Sequence, residues 1–360
     1  PVAVGKYGIR SRESIYSKEL ASDYSKNKLI YKNTLTVGMG SKQIDVGVLL
    51  DNITYSVSPA YHTYKITNIN AEYLDYCIQC RNQDMFNRFV KRGSRQGKTV
   101  DLKRWLTYEI PVYDEKSQVE IVDYLNRAHS LVELRQKQLE KLDVLVKARF
   151  VEMFGDARKN PNKYDTVSFI DIVEYMGDIG SNGANKVVVD HLDMKDKEDY
   201  AMMVRFTNFT KNDFTDDVKY VSKEAYDFFK KSQIFGGELI ICKIGSAGQN
   251  YVMPYLNRPV SLGLNQIMVR IKDNILMPYL YQYLHTDYGE FLISGCINGA
   301  VTKTITKTEL KKIPVMLPPM ELQREFVAFV EQVDKSKVVV EKMLNEAQIL
   351  FDSLMQEYFG

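Results

Sequence analysis

The sequence predicts an α+β protein in which two domains of mixed strands and short helices are separated by two long helices. These helices are expected to form an antiparallel coiled coil, so that the chain is a pseudo-twofold tandem repeat. Three observations support this architecture: segments that recur 205 residues apart, two matched helical segments with heptad-like apolar positions, and alternating apolar runs in front of each. The length of 360 residues also favours two domains over one.

The composition, with 45% hydrophobic and 26% charged residues, is ordinary for a soluble globular protein. No apolar run approaches the ~20 residues of a membrane helix, and no signal-peptide pattern opens the chain. The four cysteines do not make a disulfide framework in a chain of this length, so a reducing cytoplasm is the expected location. The net charge of +2 gives no argument for nucleic acid by itself. Seven basic residues lie between Arg88 and Arg104 against the single acid Asp101, a pattern that most often marks a solvated face.

The repeat maps residues 1–155 onto residues 206–360, while residues 156–205 have no counterpart. The aligned pairs include Ser17 with Ser222, Gly40–Ser41 with Gly245–Ser246, Lys98–Thr99 with Lys303–Thr304, Gln118 with Gln323, and Phe154–Gly155 with Phe359–Gly360. Either the first copy has lost about 50 residues at its front, or the sequence begins part-way through it. The predicted divisions are a shortened first domain at 1–115, a long helix at 116–155, a second domain at 156–318, and a second long helix at 319–360.

The front part of each copy carries apolar runs such as GELIICKIGS and NQIMVRI between Gly, Asn and Asp turn residues, which predicts strands. Helical stretches intervene, for example EYLDYCIQCRNQDMFNRFV and PYLYQYLHTDYGEFLI. This mixture predicts an α+β globule in each copy.

The back part of each copy repeats apolar residues at alternating steps of four and three, interrupted by Arg135 and Arg149 in the first copy and Lys337 in the second. The predicted seam, which is also the candidate coiled-coil and partner interface, comprises Ile121, Leu125, Val132, Leu139, Leu142, Val146, Phe326, Val330, Val340, Leu344, Phe351 and Leu354. A helix of ~37 residues is ~55 Å long, more than one adjacent globule covers, so we expect the two helices to pack on each other. Antiparallel packing would place the two domains at opposite ends of the rod.

The second copy contains Lys303–Thr304, then Ile313–Pro314–Val315, Leu317–Pro318–Pro319 and Glu321–Leu322–Gln323 at the start of its long helix. Written twice along one chain, this order resembles the specificity (S) subunit of type I restriction–modification systems. The first copy departs from it, because Tyr113–Lys116 replaces the double proline, although Gln118 remains.

The resemblance implies a non-catalytic subunit whose two recognition domains each read one half of a bipartite DNA target through the major groove. It also implies that the helices bind two modification subunits, which use S-adenosylmethionine to methylate adenine, and that restriction subunits join this core. No cofactor is expected on this chain itself.

The motifs of catalysis are missing from the sequence, as this interpretation requires. The only Pro-Pro lies between Leu317 and Met320, which does not fit the motif that holds a flipped adenine, and no GxxxxGK[ST] occurs. Cys77 and Cys80 form a CxxC without a second pair, so core packing is expected and no metal site.

Two loops that recur in both copies carry the candidate DNA-binding residues. The first loop, residues 39–43, contributes Ser41, Lys42 and Gln43, and its counterpart in the second copy contributes Lys243, Ser246 and Gln249. The second loop, residues 91–99, contributes Arg92, Arg95, Gln96 and Lys98, and its counterpart contributes Lys303 and Thr304. Arginine and glutamine suit base edges in the major groove, whereas lysine suits phosphate. The competing interpretation is that both loops are exposed polar turns. Arg95–Gln96 becomes Ala300–Val301 in the second copy, as expected if the two domains read different sequences.

Two other functions stay open at this point. The chain could be the specificity subunit of a related two-subunit or fused restriction system, or a truncated or silent DNA-binding copy without partner activity. The sequence does not reveal the DNA target or the spacer between its halves.

Overall fold

The computed structural model describes residues 1–5, 8–11, 23–40, 42–93 and 97–360. The chain divides into two compact units, the first formed by Pro1–Leu139 with Val339–Gly360 and the second by Glu140–Val338. Each unit is β-rich and holds the start of one long helix and the end of the other. The predicted fold class, α+β with two long antiparallel helices, is confirmed.

The first unit contains short strands, two consecutive helices and the start of the first long helix. Its elements are β1 (Val2–Gly5), β2 (Gly8–Ser11), β3 (Lys28–Ile30), β4 (Thr34–Met39), β5 (Ile44–Leu49), β6 (Tyr55–Val57), β7 (His62–Lys65), α1 (Ala71–Cys80), α2 (Asn82–Phe89), β8 (Val90–Gly93), β9 (Gly97–Val100), α3 (Leu102–Trp105) and α4 (Glu115–Phe154). The strands β5, β4 and β7 form an antiparallel sheet in that order.

Strand β5 lies at the edge of this sheet, and side chains of α1 and α2 bond to its backbone. Asp75 Oδ1 accepts from Val48 N at 2.8 Å, and Gln79 Nε2 donates to Val46 O at 2.8 Å. Asn82 makes both bonds of Ile44, accepting from its N–H at 3.1 Å and donating to its carbonyl at 2.9 Å. The helices therefore satisfy backbone groups that an exposed edge would leave open to another strand.

The second unit has two four-stranded sheets and the helices that flank them. Its elements are β10 (Asp165–Ser168), β11 (Val173–Gly177), α5 (Asn185–His191), β12 (Ala201–Val204), α6 (Phe206–Lys211), β13 (Lys219–Val221), α7 (Lys223–Phe228), β14 (Gln233–Ile234), β15 (Leu239–Cys242), β16 (Asn250–Val252), β17 (Val260–Leu262), β18 (Gln266–Ile271), α8 (Met277–Leu284), α9 (Asp287–Gly295), β19 (Ile297–Asn298), β20 (Thr304–Ile305), α10 (Lys307–Leu310), β21 (Pro314–Leu317) and α11 (Met320–Phe359).

The sheets of the second unit have the orders β11-β18-β15-β16 and β13-β12-β17-β14. The first is antiparallel throughout, whereas β12 and β17 of the second run parallel. The four-residue runs Leu239–Cys242 and Ala201–Val204 are buried along their whole length, as strands covered on both faces should be.

The long helices α4 and α11 pack antiparallel within each unit. In the first unit, Ile121 and Leu125 near the start of α4 share a core cluster with Phe359 at the end of α11. In the second unit, Phe154 at the end of α4 contacts Phe326 near the start of α11, with ring centroids 5.5 Å apart. Each 40-residue helix therefore packs its apolar stripe against the other long helix.

The duplication has a physical counterpart in a buried glutamine at the start of each long helix. Gln118 Oε1 accepts from Asn70 N at 2.8 Å and Gln118 Nε2 donates to Tyr113 O at 2.7 Å. Gln323 Oε1 accepts from Leu276 N at 2.9 Å and Gln323 Nε2 donates to Pro318 O at 2.9 Å. Each glutamine therefore ties the entry of a long helix to the residue that precedes a short helix, α1 or α8.

A buried tyrosine and a phenylalanine accompany each glutamine. The Tyr73 hydroxyl donates to Pro111 O and the Tyr279 hydroxyl to Met316 O, both at 2.9 Å. The Tyr73 ring contacts Phe359 at 5.1 Å, and the Tyr279 ring contacts Phe154 at 5.0 Å. The residues that recur along the chain thus make the same contacts in each unit.

Candidate nucleic-acid interface

Two loops of the second unit lie side by side, the loop between β15 and β16 (residues 243–249) and the tip between β19 and β20 (residues 299–303), which we call the recognition loops. Gly245 N donates to Lys303 O at 3.2 Å, and Ile305 N donates to Lys243 O at 3.0 Å. Ile244 and Thr304 form an isolated bridge between the same segments. The structure therefore brings together Lys243, Ser246, Gln249, Lys303 and Thr304, which the sequence predicts to contact DNA.

Glycines shape the first of these loops. Gly245 and Gly248 have φ of 88° and 87°, a region that L side chains rarely adopt. A Cβ on Gly248 would lie 2.6 Å from Ile293 Cγ2, whereas a Cβ on Gly245 would meet nothing within 4 Å. Ser246 and Gln249 are exposed in the loop that these turns create. Their side chains are free to meet a ligand from solvent.

The second loop is a narrow exposed tip. Gly299 has φ of 100°, and a Cβ there would lie 2.2 Å from Thr302 O. Val301 is 97% exposed and Lys303 is exposed, while Thr304 is half-buried where β20 begins. An apolar side chain this exposed at a hairpin tip is available for contact with an apolar group such as a thymine methyl.

Lys243 is held by a buried carboxylate. Asp178 Oδ2 accepts from Lys243 Nζ at 2.9 Å, and Asp178 Oδ1 accepts from Lys307 Nζ at 3.0 Å and from Ser181 Oγ at 3.0 Å. Burial alone would raise the pKa of Asp178, but the hydrogen bonds from Lys243, Lys307 and Ser181 outweigh it and lower the pKa to about 2. The carboxylate is therefore ionised at any physiological pH.

Further lysines surround the 3₁₀ turn Ile179–Asn182 that follows Asp178. Asn182 Oδ1 accepts from Lys231 N at 2.9 Å, and Asn182 Nδ2 donates to Ser232 Oγ at 3.0 Å. Lys230 and Lys231 are both exposed. Sequence reasoning missed Lys307 and these two lysines; the adjacent pair at 230–231 was the only signal, and a pair of lysines is common on surfaces.

The predicted loops of the first unit belong to the strand pairs β4–β5 and β8–β9, which correspond to β15–β16 and β19–β20 of the second unit. Gly40 N donates to Gln43 O at 3.2 Å, which closes the turn between β4 and β5; Lys42 is exposed there and Gln43 is half-buried. Arg92 pairs with Lys98 across the β8–β9 hairpin, and the Lys98 ammonium lies 5.1 Å from the centre of the Phe86 ring. Ser41, Arg95 and Gln96 lie outside the described residues.

The predicted seam residues of the long helices lie on their inner faces. Ile121, Leu125, Val146 and Phe326 are buried, and Val132, Leu139, Leu142, Val330, Val340, Leu344, Phe351 and Leu354 are half-buried. Two polar interruptions of the seam are paired across the helices within the second unit. Arg149 Nη2 bonds to Glu325 Oε1 at 2.8 Å, and Lys337 Nζ bonds to Asp143 Oδ1 at 2.7 Å.

The outer faces of the long helices carry exposed apolar residues at repeated positions. Val144 and Leu145 on α4 are 64% and 46% exposed, and Ile349 and Leu350, 205 positions later on α11, are 56% and 47% exposed. A groove of about 930 Å³ in the second unit is lined by residues that include Val144, and one of about 660 Å³ in the first unit by residues that include Ile349. The exposed apolar positions of the two long helices therefore recur at the spacing of the sequence repeat.

Cys77 is part of a core cluster with Tyr73, Ile121 and Phe359. Its burial raises the pKa of the thiol to about 12, which suits an inert packing residue. Within the described ranges, no group of three or more His, Cys, Asp and Glu side chains could hold a metal ion. No helix in the same part of the chain is both long and apolar enough to cross a membrane.

Comparison with known proteins gives one family and several similar folds. Residues 171–348 match the model of the type I restriction modification DNA specificity domain. No curated protein sequence is similar enough to count as a match.

Two solved structures superpose on nearly the whole chain. A structure from a study of complex assembly and conformational transition of the type I R-M system shares 16% identity, with a TM-score of 0.54 over 99% of this chain and 90% of that one. The type I restriction–modification S subunit from M. genitalium shares 14% identity, with a TM-score of 0.51 over 100% of this chain and 93% of that one. The HsdS subunit from Thermoanaerobacter tengcongensis, at 18% identity over 100% and 90% of the two chains, has a TM-score of 0.39, too low to compare folds.

The matched domain defines this chain as a DNA-recognition subunit, and the fold agrees. The chain belongs to the family of type I restriction–modification specificity subunits, as the resemblance in its sequence predicted. It is therefore a non-catalytic component that recognises the DNA target within a type I complex. Specificity subunits bind no cofactor, because S-adenosylmethionine is bound by the modification subunit.

Proposed function

We propose that each unit of this chain contains one target-recognition domain, which reads one half of a bipartite DNA sequence. The two domains lie in residues 1–115 and 156–318, and the long helices of residues 116–155 and 319–360 separate them along the chain. The complex contains two modification subunits, joined by restriction subunits, and acts on DNA in the cytoplasm.

The adjacent recognition loops of the second unit carry this proposal. They combine exposed Lys303, exposed Ser246 and Gln249, and the exposed tip at Val301 on one rim of the unit. Lysine contacts to phosphate position a protein on DNA, and side chains at the tips then reach base edges. The first unit presents Lys42 and Lys98 from the corresponding hairpins, so the same mode of binding applies to the other half of the target.

The repeated outer faces of α4 and α11 support the binding of two copies of one modification subunit. Val144–Leu145 and Ile349–Leu350 occupy equivalent positions, so a single partner surface fits both. The charges beside them differ, because Lys147 lines one groove and Asp352 takes its place in the other. The two copies therefore meet related but unequal surfaces.

The test is sequencing of methylated adenines in a host that carries this chain with its modification subunit. We expect a split motif, with one methylated adenine in each half and a spacer of constant length between them. The matched control is a host that carries the modification subunit alone, where the motif should be absent. A continuous motif, or methylation that does not depend on this chain, would contradict the proposal.

Co-purification separates an active subunit from a silent copy. We expect the tagged chain to retain two modification subunits per copy. Double substitution of Val144 and Leu145 by Ser should remove one of them, and the same change at Ile349 and Leu350 should remove the other. A chain that binds DNA but retains no modification subunit would be a silent copy.

A further inference from the structure

We propose that Asp178 is a positioning residue that sets the sequence discrimination of the second recognition domain by holding Lys243 and Lys307 together between its recognition loops. This inference rests on the proposed reading of one half-site by the second unit. Asp178 itself is buried, so it would act on DNA only through the two lysines.

The two lysines come from segments that begin or follow the recognition loops. Lys243 is the first residue of the loop after β15, and Lys307 begins α10, two residues after β20 ends. They are 64 residues apart in sequence, yet their ammonium groups bond to the two oxygens of one carboxylate at 2.9 and 3.0 Å. Asp178 therefore links the two segments from which the recognition loops extend.

A second contact fixes the carboxylate. Ser181 Oγ donates to Asp178 Oδ1 at 3.0 Å and accepts from Asp178 N at 3.1 Å, and Lys307 Nζ also lies 3.1 Å from Ser181 Oγ. This reciprocal arrangement caps the 3₁₀ turn Ile179–Asn182. Rotation of the Asp178 side chain would break the cap and both ion pairs, so the lysines have a defined anchor.

The lysine side chains keep one side open to solvent. Lys243 is 37% exposed and Lys307 is 33% exposed, whereas the Asp178 side chain is 9% exposed. One carboxylate against two ammonium groups leaves a net positive charge of one at this place. An approaching phosphate would therefore meet two oriented ammonium groups. The negative charge of Asp178 partly cancels their combined attraction for the phosphate.

This partial cancellation favours discrimination over general affinity. Each lysine that neutralises a phosphate adds ~0.9 to the salt dependence of binding, whatever the DNA sequence. A lysine already held in place loses less side-chain entropy when it meets its one matching phosphate, which lowers the cost of the correct fit. Asp178 therefore weakens binding to arbitrary DNA more than binding to the target.

The first unit lacks the residues for these ion pairs at the corresponding positions. At the shift of 205 residues, Lys243 corresponds to Gly38 and Lys307 to Leu102, and Asp178 falls in the segment without a counterpart. Any effect of Asp178 should therefore be confined to the half-site that the second domain reads.

The experiment uses the full chain in complex with its modification subunits and measures binding to a random-sequence duplex and to the methylated motif over a range of salt concentrations. We expect Asp178→Asn to bind the random duplex about threefold to tenfold more tightly at low salt, with a salt slope steeper by ~1 to 2. The ratio of target to random affinity should fall about tenfold, with the loss confined to bases of one half-site.

Asp171→Asn is the matched control. It removes one negative charge from the same unit and also removes a side-chain cap, because Asp171 Oδ2 accepts from Ser168 N at 3.0 Å. We expect its salt slope and its affinity ratio to match those of the unchanged chain. A double variant, Asp178→Asn with Lys243→Gln, should return the slope on random DNA toward its original value while discrimination stays low.

Equal losses on both duplexes in Asp178→Asn would show a purely structural role and overturn the proposal, as would an unchanged slope and ratio. Failure of the proposed function has a different signature. In that case the unchanged chain prefers no sequence at all, while the slope on random DNA still reports whether Asp178 restrains the two lysines.

Discussion

At the scale of single residues, the repeat persists where one side chain makes several bonds that no other type can make together. Gln118 and Gln323 are buried, and each accepts from one backbone N–H and donates to the backbone. Gln118 donates to one carbonyl, whereas Gln323 donates to Pro318 O and, at 3.5 Å, to Asn274 O. Glutamate would lack the donor, and an apolar residue would leave both backbone groups unpaired. The two glutamines therefore stand at equivalent positions of the two copies, and the sequence alone reveals them.

We expect Gln323→Ala to lower the unfolding free energy of the second unit by ~2–4 kcal/mol, because it leaves Leu276 N and Pro318 O without their partner. Denaturant titration followed by circular dichroism measures the change. Gln332→Ala on the same helix and in the same unit is the control, since Gln332 is exposed. A loss below ~0.5 kcal/mol for Gln323→Ala would mean that water replaces the amide.

Asp75 in the first unit gives a pH-dependent prediction. Its burial raises the pKa to about 6, although the hydrogen bond from Val48 N opposes this rise. The folded state thus binds the proton more tightly than the unfolded chain, whose carboxyl titrates near 3.9. Stability from this group is fully present below the unfolded pKa and is lost as the pH rises through about 6.

We therefore expect Asp75→Asn to stabilise the first unit by about 2 kcal/mol at pH 8, since an amide oxygen still accepts from Val48 N without carrying charge. The gain should shrink steadily toward pH 4.5. Thermal unfolding of both proteins across this range measures it. A difference that is constant with pH would show that the carboxyl stays ionised in the fold.

Asp178 shows what the sequence could not reveal at this scale. Its partners lie 65 and 129 positions away, and it belongs to residues 156–205, which no second copy mirrors. Neither a local pattern nor the repeat points to it. Lys243 was predicted as a DNA contact from its place beside a glycine-containing loop, but its ion pair depends on the folded chain.

At the scale of elements, apolar periodicity predicted the two long helices and their inner faces. It did not predict that each of the two shorter helical stretches divides into two helices. Helix α1 ends at Cys80 and α2 begins at Asn82, while α8 ends at Leu284 and α9 begins at Asp287. Arg81 and His285 adopt φ near −90° and −98° with ψ near 0°, and no Pro or Gly announces these turns.

The polar interruptions of the helical seam also depend on tertiary partners. Lys337 was an exception to the heptad pattern in the sequence, but in the second unit it meets Asp143 of the facing helix at 2.7 Å. The Asp143 side chain is 64% exposed and the Lys337 side chain 25% exposed. A pair with one exposed partner contributes modestly to stability, yet it disfavours other registers of the two helices.

A double-mutant cycle tests this pair. We expect Asp143→Lys and Lys337→Asp each to destabilise the second unit, and the two together to recover part of the loss, with a coupling of about 0.5–1 kcal/mol. Thermal unfolding at low salt measures the four proteins, and the coupling should decrease at high salt. Additive losses would mean that the two side chains do not interact in solution.

At the scale of the whole molecule, comparison of the two copies distinguishes residues that both recognition domains share from residues that differ between them. The lysines at 98 and 303 recur, whereas Arg95–Gln96 is replaced by Ala300–Val301. The repeated contacts of Gln118 and Gln323 explain why both units keep the same frame. The exposed tip of residues 299–303 in the second unit carries no such constraint, so its residues can differ from those of the first copy without disturbing this frame.

The last prediction follows from this separation and compares Arg95→Ala with Lys98→Ala in the assembled complex. Arg95→Ala should relax base preference in one half of the methylated motif and leave the other half and the spacer unchanged, because arginine discriminates bases by ~1–3 kcal/mol. Lys98→Ala should weaken binding to every duplex and reduce the salt slope by ~0.9. Methylome sequencing reads the first effect and binding at several salt concentrations the second. Equal losses from both changes on target and random DNA would refute a division between base-reading and phosphate-binding residues in this hairpin.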